Sequence, residues 1–425
     1  MDSAVGRTSR RPHRAWGVAA VTFVALVGSA GFRATPGVLI VPLQEEFGWS
    51  RGVISLAVSV NLLLFGLTAP FAAALMERFG IRRVVALALT VVAAGSALTT
   101  QMTRSWELVA CWGVLVGLGT GSMALVFGAT VANRWFVRRR GLVVGILTAG
   151  SATGQLVFLP VLAVLVDRHG WRSASWTVAL AALMVVPFVL LLLRERPGDV
   201  GLLPYGATEA PAPAQVTGSP ARQAVSALRM ASHSRAFWLL AGGFAICGAT
   251  TNGLVGTHFI PAAHDHGMPS TTAAGLLALV GVFDIVGTIT SGWLTDRMDS
   301  RTLLGWYYGL RGLSLLALPT LFASSLHPRM LVFVLFYGLD WVATVPPTVT
   351  LCRELFGDRG TLVFGWVFAS HQVGAGIAAA VAGLVRTSLG TYDLAWYGAA
   401  VLCLVAAGLS LGIRTRRTAD VLALA

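Results

Sequence analysis

Residues 281–301 read G-V-F-D-I-V-G-T-I-T-S-G-W-L-T-D-R-M-D-S-R, an apolar run holding a single acid, Asp284, that ends in a charged turn. The run suits hydrocarbon and the turn suits water, so the stretch marks a point where the chain leaves a membrane. Asp284 lies about two turns inside the apolar run, where an ionisable side chain is costly and by default functional. Beyond the run, Leu294, Asp296, Arg297 and Arg301 repeat Leu75, Glu77, Arg78 and Arg82, each 219 positions upstream. A second register agrees: Gly145, Ala149 and Gly154 recur as Gly365, Ala369 and Gly374 at an offset of 220. Recurrence at half the chain length is the mark of parallel transporter repeats. The expectation is an all-α membrane protein built twice.

Composition agrees. Of the 425 residues, 56% are hydrophobic and 12% charged, and the mean hydropathy is +0.75. A soluble chain carries roughly 25% charged residues. The net charge of +13 comes with no lysine, and the arginines lie between apolar runs rather than in a stripe. That placement speaks for membrane topology and against nucleic acid as a partner. Arg7, Arg10, Arg11 and Arg14 precede an apolar run too long for the core of a cleavable signal. The four cysteines, Cys111, Cys247, Cys352 and Cys403, lie in or beside apolar runs without metal-ligand spacing and read as small packing residues.

Twelve runs are long enough to span, near 16–42, 53–76, 84–101, 107–131, 141–166, 174–193, 236–261, 273–294, 302–323, 330–351, 360–384 and 393–413. With the amino terminus inside, cytoplasmic segments hold 23 arginines and the outer loops six. This asymmetry predicts a multi-pass protein of the cell membrane with both termini cytoplasmic. Two six-helix bundles, 1–193 and 236–425, flank a linker at 194–235. The linker's A-T-E-A-P-A-P-A-Q-V-T-G-S-P is poor in large apolar residues, which predicts a flexible cytoplasmic connection. The glycines of G-V-L-V-G-L-G-T-G-S (Gly113–Ser122) lack the strand and soluble domain of a phosphate loop, so they read as close helix packing.

Counting from the cytoplasmic ends, Asp284 lies ten residues into span eight, Arg311 nine into span nine and Asp340 eleven into span ten. At about 1.5 Å per residue these three share one depth near the midplane, where transporter sites lie. Two readings stand: a relay in which Asp284 or Asp340 binds a proton and Arg311 meets an anion or releases its partner, and a permanent ion pair between neighbouring helices. Arg33 lies in the outer half of span one as a candidate first cation for substrate, with snorkelling to the surface as the alternative. Asn252, Tyr337, Trp341, His371 and Gln372 are candidate substrate contacts on spans expected to line a cavity. Pro346 and Pro347 require a kink in span ten close to Asp340. His258, His264 and His266, at the outer end of span seven, read as solvated loop histidines, with a metal site as the alternative.

The loops A-A-L-M-E-R-F-G-I-R-R (Ala73–Arg83) and G-W-L-T-D-R-M-D-S-R (Gly292–Arg301) resemble the loop motif of the major facilitator superfamily. The resemblance implies that fold, and that Glu77, Arg78, Gly80, Arg82 and Arg83 in the first loop, with Asp296, Arg297 and Arg301 in the second, clamp the cytoplasmic gate in the outward-open state. Glu77 stands where aspartate is usual, and Ala73 and Asp299 where glycine is usual.

A narrower resemblance is to the monocarboxylate porter branch. It is carried by P-G-V-L-I-V-P-L-Q-E-E-F-G-W-S-R (Pro36–Arg51), R-R-G-L-V-V-G-I-L-T-A-G-S-A-T-G (Arg139–Gly154), D-R-H-G-W-R (Asp167–Arg172), H-F-I-P-A-A-H-D-H-G (His258–Gly267) and V-F-D-I-V-G (Val282–Gly287). It places Asp284 on the aspartate of proton-coupled anion transport. The chain departs from the branch at Thr288, where arginine is frequent, and at Ala34, near a frequent lysine. In span eleven it has His371 and Gln372 where the related oxalate–formate branch uses lysine.

The reading is a monomeric secondary transporter of a small organic anion, coupled to protons and needing no cofactor or metal. A carrier of neutral or cationic compounds, drug export included, is the second reading, and a non-transporting membrane sensor the third. No nucleotide loop and no nucleophile–base pair in context point to an enzyme.

Overall fold

The computed structural model describes residues 13–123, 125–138, 140–209, 220–295 and 297–414. Its helices group into membrane-length segments. The first half holds α1 (Arg14–Phe47), α2 (Arg51–Phe79), α3 (Ile81–Thr99) and α4, which runs through Ser105–Leu108, Val109–Val116 and Gly117–Gly121 and resumes at Leu125–Trp135; α5 (Arg140–His169) and α6 (Trp171–Leu192) complete it. The second half holds α7 (Arg235–Asp265), α8 (Ser270–Thr295), α9 (Ser300–Ala317), α10 (Pro328–Phe356), α11 (Gly360–Leu389) and α12 (Asp393–Leu411). Among the described residues, eight helices are long and apolar enough to cross a membrane, and Arg14–Ser29 forms a shorter apolar one. Both the first and the last of these segments point their free ends to one face, called here the terminal face; the other is the far face.

Besides the π-helical Val109–Val116 of α4, two irregular segments lie in the second half. The middle of α7, Ala249–Val255, widens into π-helical turns around Asn252, a distortion frequent at functional positions. In α10 the helix stops at Asp340, passes through Trp341–Thr344 as a turn, and restarts at Val345. Pro346 and Pro347 fall in the first turn of the restarted piece, where a missing N–H costs no hydrogen bond.

The halves meet most closely along α2 and α11. A Cβ built on Gly66 would lie 2.4 Å from Cβ of Gln372, so only glycine permits this crossing. At the far face the buried apolar core runs without interruption from the first half into α7, α8, α10 and α12. At the terminal face the second half keeps a separate cluster around Phe237, Phe244, Leu304 and Val367. The buried core is therefore continuous across the halves at one end and divided at the other.

The connecting segment does more than its composition predicts. Glu195 accepts the backbone N–H of Ile81 at 2.6 Å and of Arg82 at 2.9 Å, capping the start of α3, and lies 3.7 Å from Arg134. A helix at Pro220–Ala231 buries Ala224, Ala227 and Ala231, and the Trp366 indole donates to the Ala224 carbonyl at 2.9 Å. Alanines spaced along one helix face bury a stripe without large side chains, which is why a search for large apolar residues passes over them. Residues 210–219, where most of the Pro/Ala-rich stretch falls, lie outside the described residues.

Candidate functional site

The mid-membrane site is built around the break in α10. Breaking a helix in hydrocarbon frees backbone groups that need partners. Pro346 and Pro347 have no N–H to give the carbonyls of Val342 and Ala343, four residues earlier. The Ala343 carbonyl instead accepts Oγ of Ser291 from α8 at 2.5 Å. The N–H of Val342, freed by the break, donates to Oδ1 of Asp284 at 3.0 Å, and Thr288 donates to the same oxygen at 2.9 Å. Gly287, one turn from both, lets α8 approach: a Cβ there would lie 1.9 Å from the Leu339 carbonyl oxygen. Asp284 and Ser291 are thus the α8 side of a clasp on the broken helix.

The α9 side of the clasp is Arg311. Its Nε donates to Oδ2 of Asp340 at 2.5 Å, and one terminal nitrogen donates to the carbonyls of Asp340 at 2.7 Å and Trp341 at 3.4 Å. The other terminal nitrogen reaches Sγ of Cys247 on α7 at 3.0 Å, and that sulfur is 3.2 Å from Oγ1 of Thr344. Arg311 is 1% exposed, with its guanidinium 5.8 Å from the Tyr308 ring centre. The three charges sit together as their depth predicts, but the partner of Arg311 is Asp340, not Asp284. Each of the three guanidinium nitrogens of Arg311 has a partner on α10 or at Cys247, the arrangement of an ion pair that holds the break.

Of the remaining candidates, Tyr337 is buried with its hydroxyl donating to the Thr250 carbonyl at 2.6 Å, and Trp341 packs edge-on against it at 5.6 Å between ring centres. Asn252 is half-buried on the π-helical part of α7. His371 is buried between the rings of Phe244 and Phe368. Gln372 is buried against α2. Oδ1 of Asp340, Nδ1 of His371 and Oε1 of Gln372 are buried without a hydrogen-bond partner among the described residues. Arg33 lies on α1, and its side chain is outside the described residues.

In the two charged loops the arginine contacts that are seen stay within one half. Gly80, at φ +86°, turns the chain into α3. Arg82 donates to the Leu190 carbonyl on α6, while Arg78, over the ring of Phe79, and Arg83 are exposed. Arg297 lies over the Trp293 ring at 4.1 Å and donates to that residue's carbonyl. Arg301 pairs with Asp299 at 2.9 Å and reaches the Ile413 carbonyl. Asp299, in the place of the usual glycine, caps α9 through the Arg301 N–H, and its hydrogen bonds to Arg301 hold its carboxyl below the ordinary range. The Glu77 side chain and Asp296 lie outside the described residues.

At the far face a charged cluster joins the halves, and sequence reasoning passed over it. Arg51 at the start of α2 makes a two-pronged pair with Asp265 at the end of α7, both contacts 2.6 Å. Arg386 of α11 adds a third contact to Asp265 at 2.8 Å. Gln44 accepts Nε of Arg51 at 2.8 Å, and the Tyr392 hydroxyl accepts a terminal N–H at 3.3 Å. The signal lay in the topology count: Arg51 and Arg386 are among the few arginines placed on the outer side. His258 is also not a loop histidine. It is 0% exposed, with Nδ1 3.1 Å from the Tyr392 oxygen and Nε2 2.9 Å from the Ala379 carbonyl. Placed on α7 rather than beyond it, it escapes water.

Membrane-length helices in two related halves, with charges gathered at mid-depth around a broken helix, define a polytopic membrane transport protein. The chain belongs to the Major Facilitator Superfamily, whose profile matches residues 21–364 and 259–422. That is a family of transporters, not enzymes. The chain is 27% identical over 409 residues to the uncharacterized MFS-type transporter YcxA of Bacillus subtilis, across 95% of both chains. It is 27% identical over 381 residues to monocarboxylate transporter 13 of Bos taurus, covering 88% of this chain and 83% of that one. In fold it is similar to a bacterial homolog of the human lysosomal transporter Spinster, with TM-score 0.74 at 15% identity over 95% of this chain and 97% of that one. It is likewise similar to a D-xylose–proton symporter, with TM-score 0.71 at 16% identity over 94% and 97%.

Proposed function

We propose that this protein is a proton-coupled secondary transporter that carries a small organic anion of the monocarboxylate class by alternating access across the cell membrane. The observation that carries the reading is the environment of Asp284. Its described hydrogen bonds both fall on Oδ1, so Oδ2 is left to take a proton while Oδ1 goes on holding Val342. Charging and neutralising Asp284 then changes the electrostatics of the α10 break without removing its clasp. Relatives named monocarboxylate transporters support the substrate class. Arg311 and Asp340 neutralise one another, so Asp284 rather than Asp340 serves as the proton carrier, and Arg33 is the intramembrane cation left for a carboxylate. The far-face cluster closes one side of the substrate path, and the charged loops act on the other.

A second reading follows from Arg311 being committed: the mid-depth acids and the buried acceptors of His371 and Gln372 would suit a neutral or cationic substrate. Uptake into proteoliposomes of a panel of monocarboxylates, amino acids and organic cations, under imposed pH gradients, separates the two. Uptake of monocarboxylates that Arg33→Gln abolishes supports the anion reading. Uptake confined to cations or neutral compounds, untouched by Arg33→Gln, replaces it with the second.

A further inference from the structure

The far-face cluster has a titratable group beneath it that neither the midplane site nor the charged loops use. The carbonyl of Ala379 can only accept, so Nε2 of His258 carries a hydrogen and donates to it. The Tyr392 oxygen already accepts from Arg51, so its own O–H is available to Nδ1 of His258, which must then be bare. Every partner is satisfied when His258 is neutral. A chain of contacts therefore runs from Asp265 through Arg51 and Tyr392 to His258, crossing from the second half to the first and back. At its end Arg51 is buried at 6% exposure, while Asp265 stands at the surface with its side chain 19% exposed.

A proton on Nδ1 breaks this arrangement. The new N–H points at an oxygen that already accepts from Arg51, and the Tyr392 O–H loses its acceptor. The charge also faces the guanidinium of Arg51, which lies 5.6 Å from the Tyr392 ring centre. The other groups around the cluster are Asp265, Arg386 and the neutral Gln44. Asp265 is shared by two arginines, and a third cation behind Arg51 weakens the hold of the set.

We propose that Arg51, Asp265 and Arg386 are a latch closing the far face between the halves, and that protonation of the buried His258 releases it through Tyr392. The proposal rests on the alternating-access reading and adds a cause of opening to it: acid makes the far face open. A carrier so built exposes its substrate path to the acidic side, which is the side proton-coupled uptake needs.

The test reads the gap directly. Spin labels go on cysteines at Val53 of α2 and Leu389 of α11, both exposed, in a Cys111→Ser background, since the other three cysteines are buried. Pulsed electron paramagnetic resonance in lipid nanodiscs at about pH 5.5 and about pH 8 brackets the ordinary histidine range. With no substrate present, the wild-type ratio of long to short distances should rise at acid pH, by up to about tenfold for each unit of difference in proton affinity between open and closed states. His258→Gln, whose amide can donate to Ala379 and accept from Tyr392 at any pH, should hold the change within about twofold. Arg51→Gln should be open at both pH values. Tyr392→Phe cuts the link while keeping His258, and its pH response should vanish, so the test survives a His258→Gln protein that fails to fold. A wild type indifferent to pH, or an acid response that persists in either variant, overturns the proposal. Distances that respond as expected in a protein that transports nothing from the uptake panel would contradict the functional reading and leave the latch standing.

Discussion

Arg311 carries the heaviest consequence of any single side chain. A guanidinium buried at mid-depth is tolerable because one carboxylate, two carbonyls and a sulfur surround it. Removing one member of such a buried pair costs about 3–5 kcal/mol, because the other charge is stranded. Arg311→Gln should therefore lower the melting temperature sharply, and Asp340→Asn placed on top of it should restore much of the loss. Asp284→Asn should not, since the carboxylate that Arg311 neutralises is Asp340. Melting curves of the two double mutants, read as a coupling cycle, check this; rescue by Asp284→Asn instead would reassign the pair. The depth of Asp284, Arg311 and Asp340 was legible from residue counting at a fixed rise per residue. Which acid faces the arginine was not, because that depends on the rotation of α8, α9 and α10 about their own axes. His258 failed for a related reason: its place two turns short of the end of α7 is set by where Gly267 turns the chain, not by its neighbours in sequence.

At the scale of elements, the prolines of α10 announced a broken helix, and the structure puts the break just before them, at Trp341–Thr344. What holds it open could not be read, since Ser291 and Asp284 come from another helix. Ser291→Ala leaves the Ala343 carbonyl buried without its partner, a loss of about 1–3 kcal/mol. Pro347→Ala would give that carbonyl an N–H of its own. The double mutant should thus melt higher than the sum of the single changes implies, and simple additivity would show that Ser291 is not the partner that matters. Asp299 offers a prediction with a pH sign. Arg301 and the start of α9 hold its carboxyl below the ordinary 3.8, so its contribution is complete above that value and fades as pH falls through the lowered one. Asp299→Ala should cost about 1 kcal/mol at neutral pH, and the gap between variant and wild-type melting temperatures should close as pH falls below the ordinary carboxylate range. A gap that widens with acid would contradict the cap.

Across the whole molecule, the repeat at offsets of 219 and 220 foretold two halves in their order, because internal duplication leaves its trace in local sequence. The joining of those halves was not foretold. Arg51 and Asp265 are 214 residues apart, and no local pattern says that the end of α7 lies over the start of α2. The charged loops were legible as loops, yet each is tied to its own half, by Glu195 in the first and by Ile413 in the second. At the far face charge pairs and a continuous core join the halves, and at the terminal face the second half keeps its own cluster. In the proposed mechanism, transport depends on one group that can change charge at mid-depth without dissolving the break in α10. The most direct measurement is accumulation in proteoliposomes of the monocarboxylate that the uptake panel identifies, under an imposed pH gradient, in wild type and in Asp284→Asn. Asparagine keeps an oxygen for Val342 and Thr288, so the variant should fold and should still equilibrate the substrate. The wild type should accumulate it about tenfold per pH unit, as one proton per anion requires, and Asp284→Asn should show no accumulation at all. Accumulation by Asp284→Asn equal to that of the wild type would contradict the account.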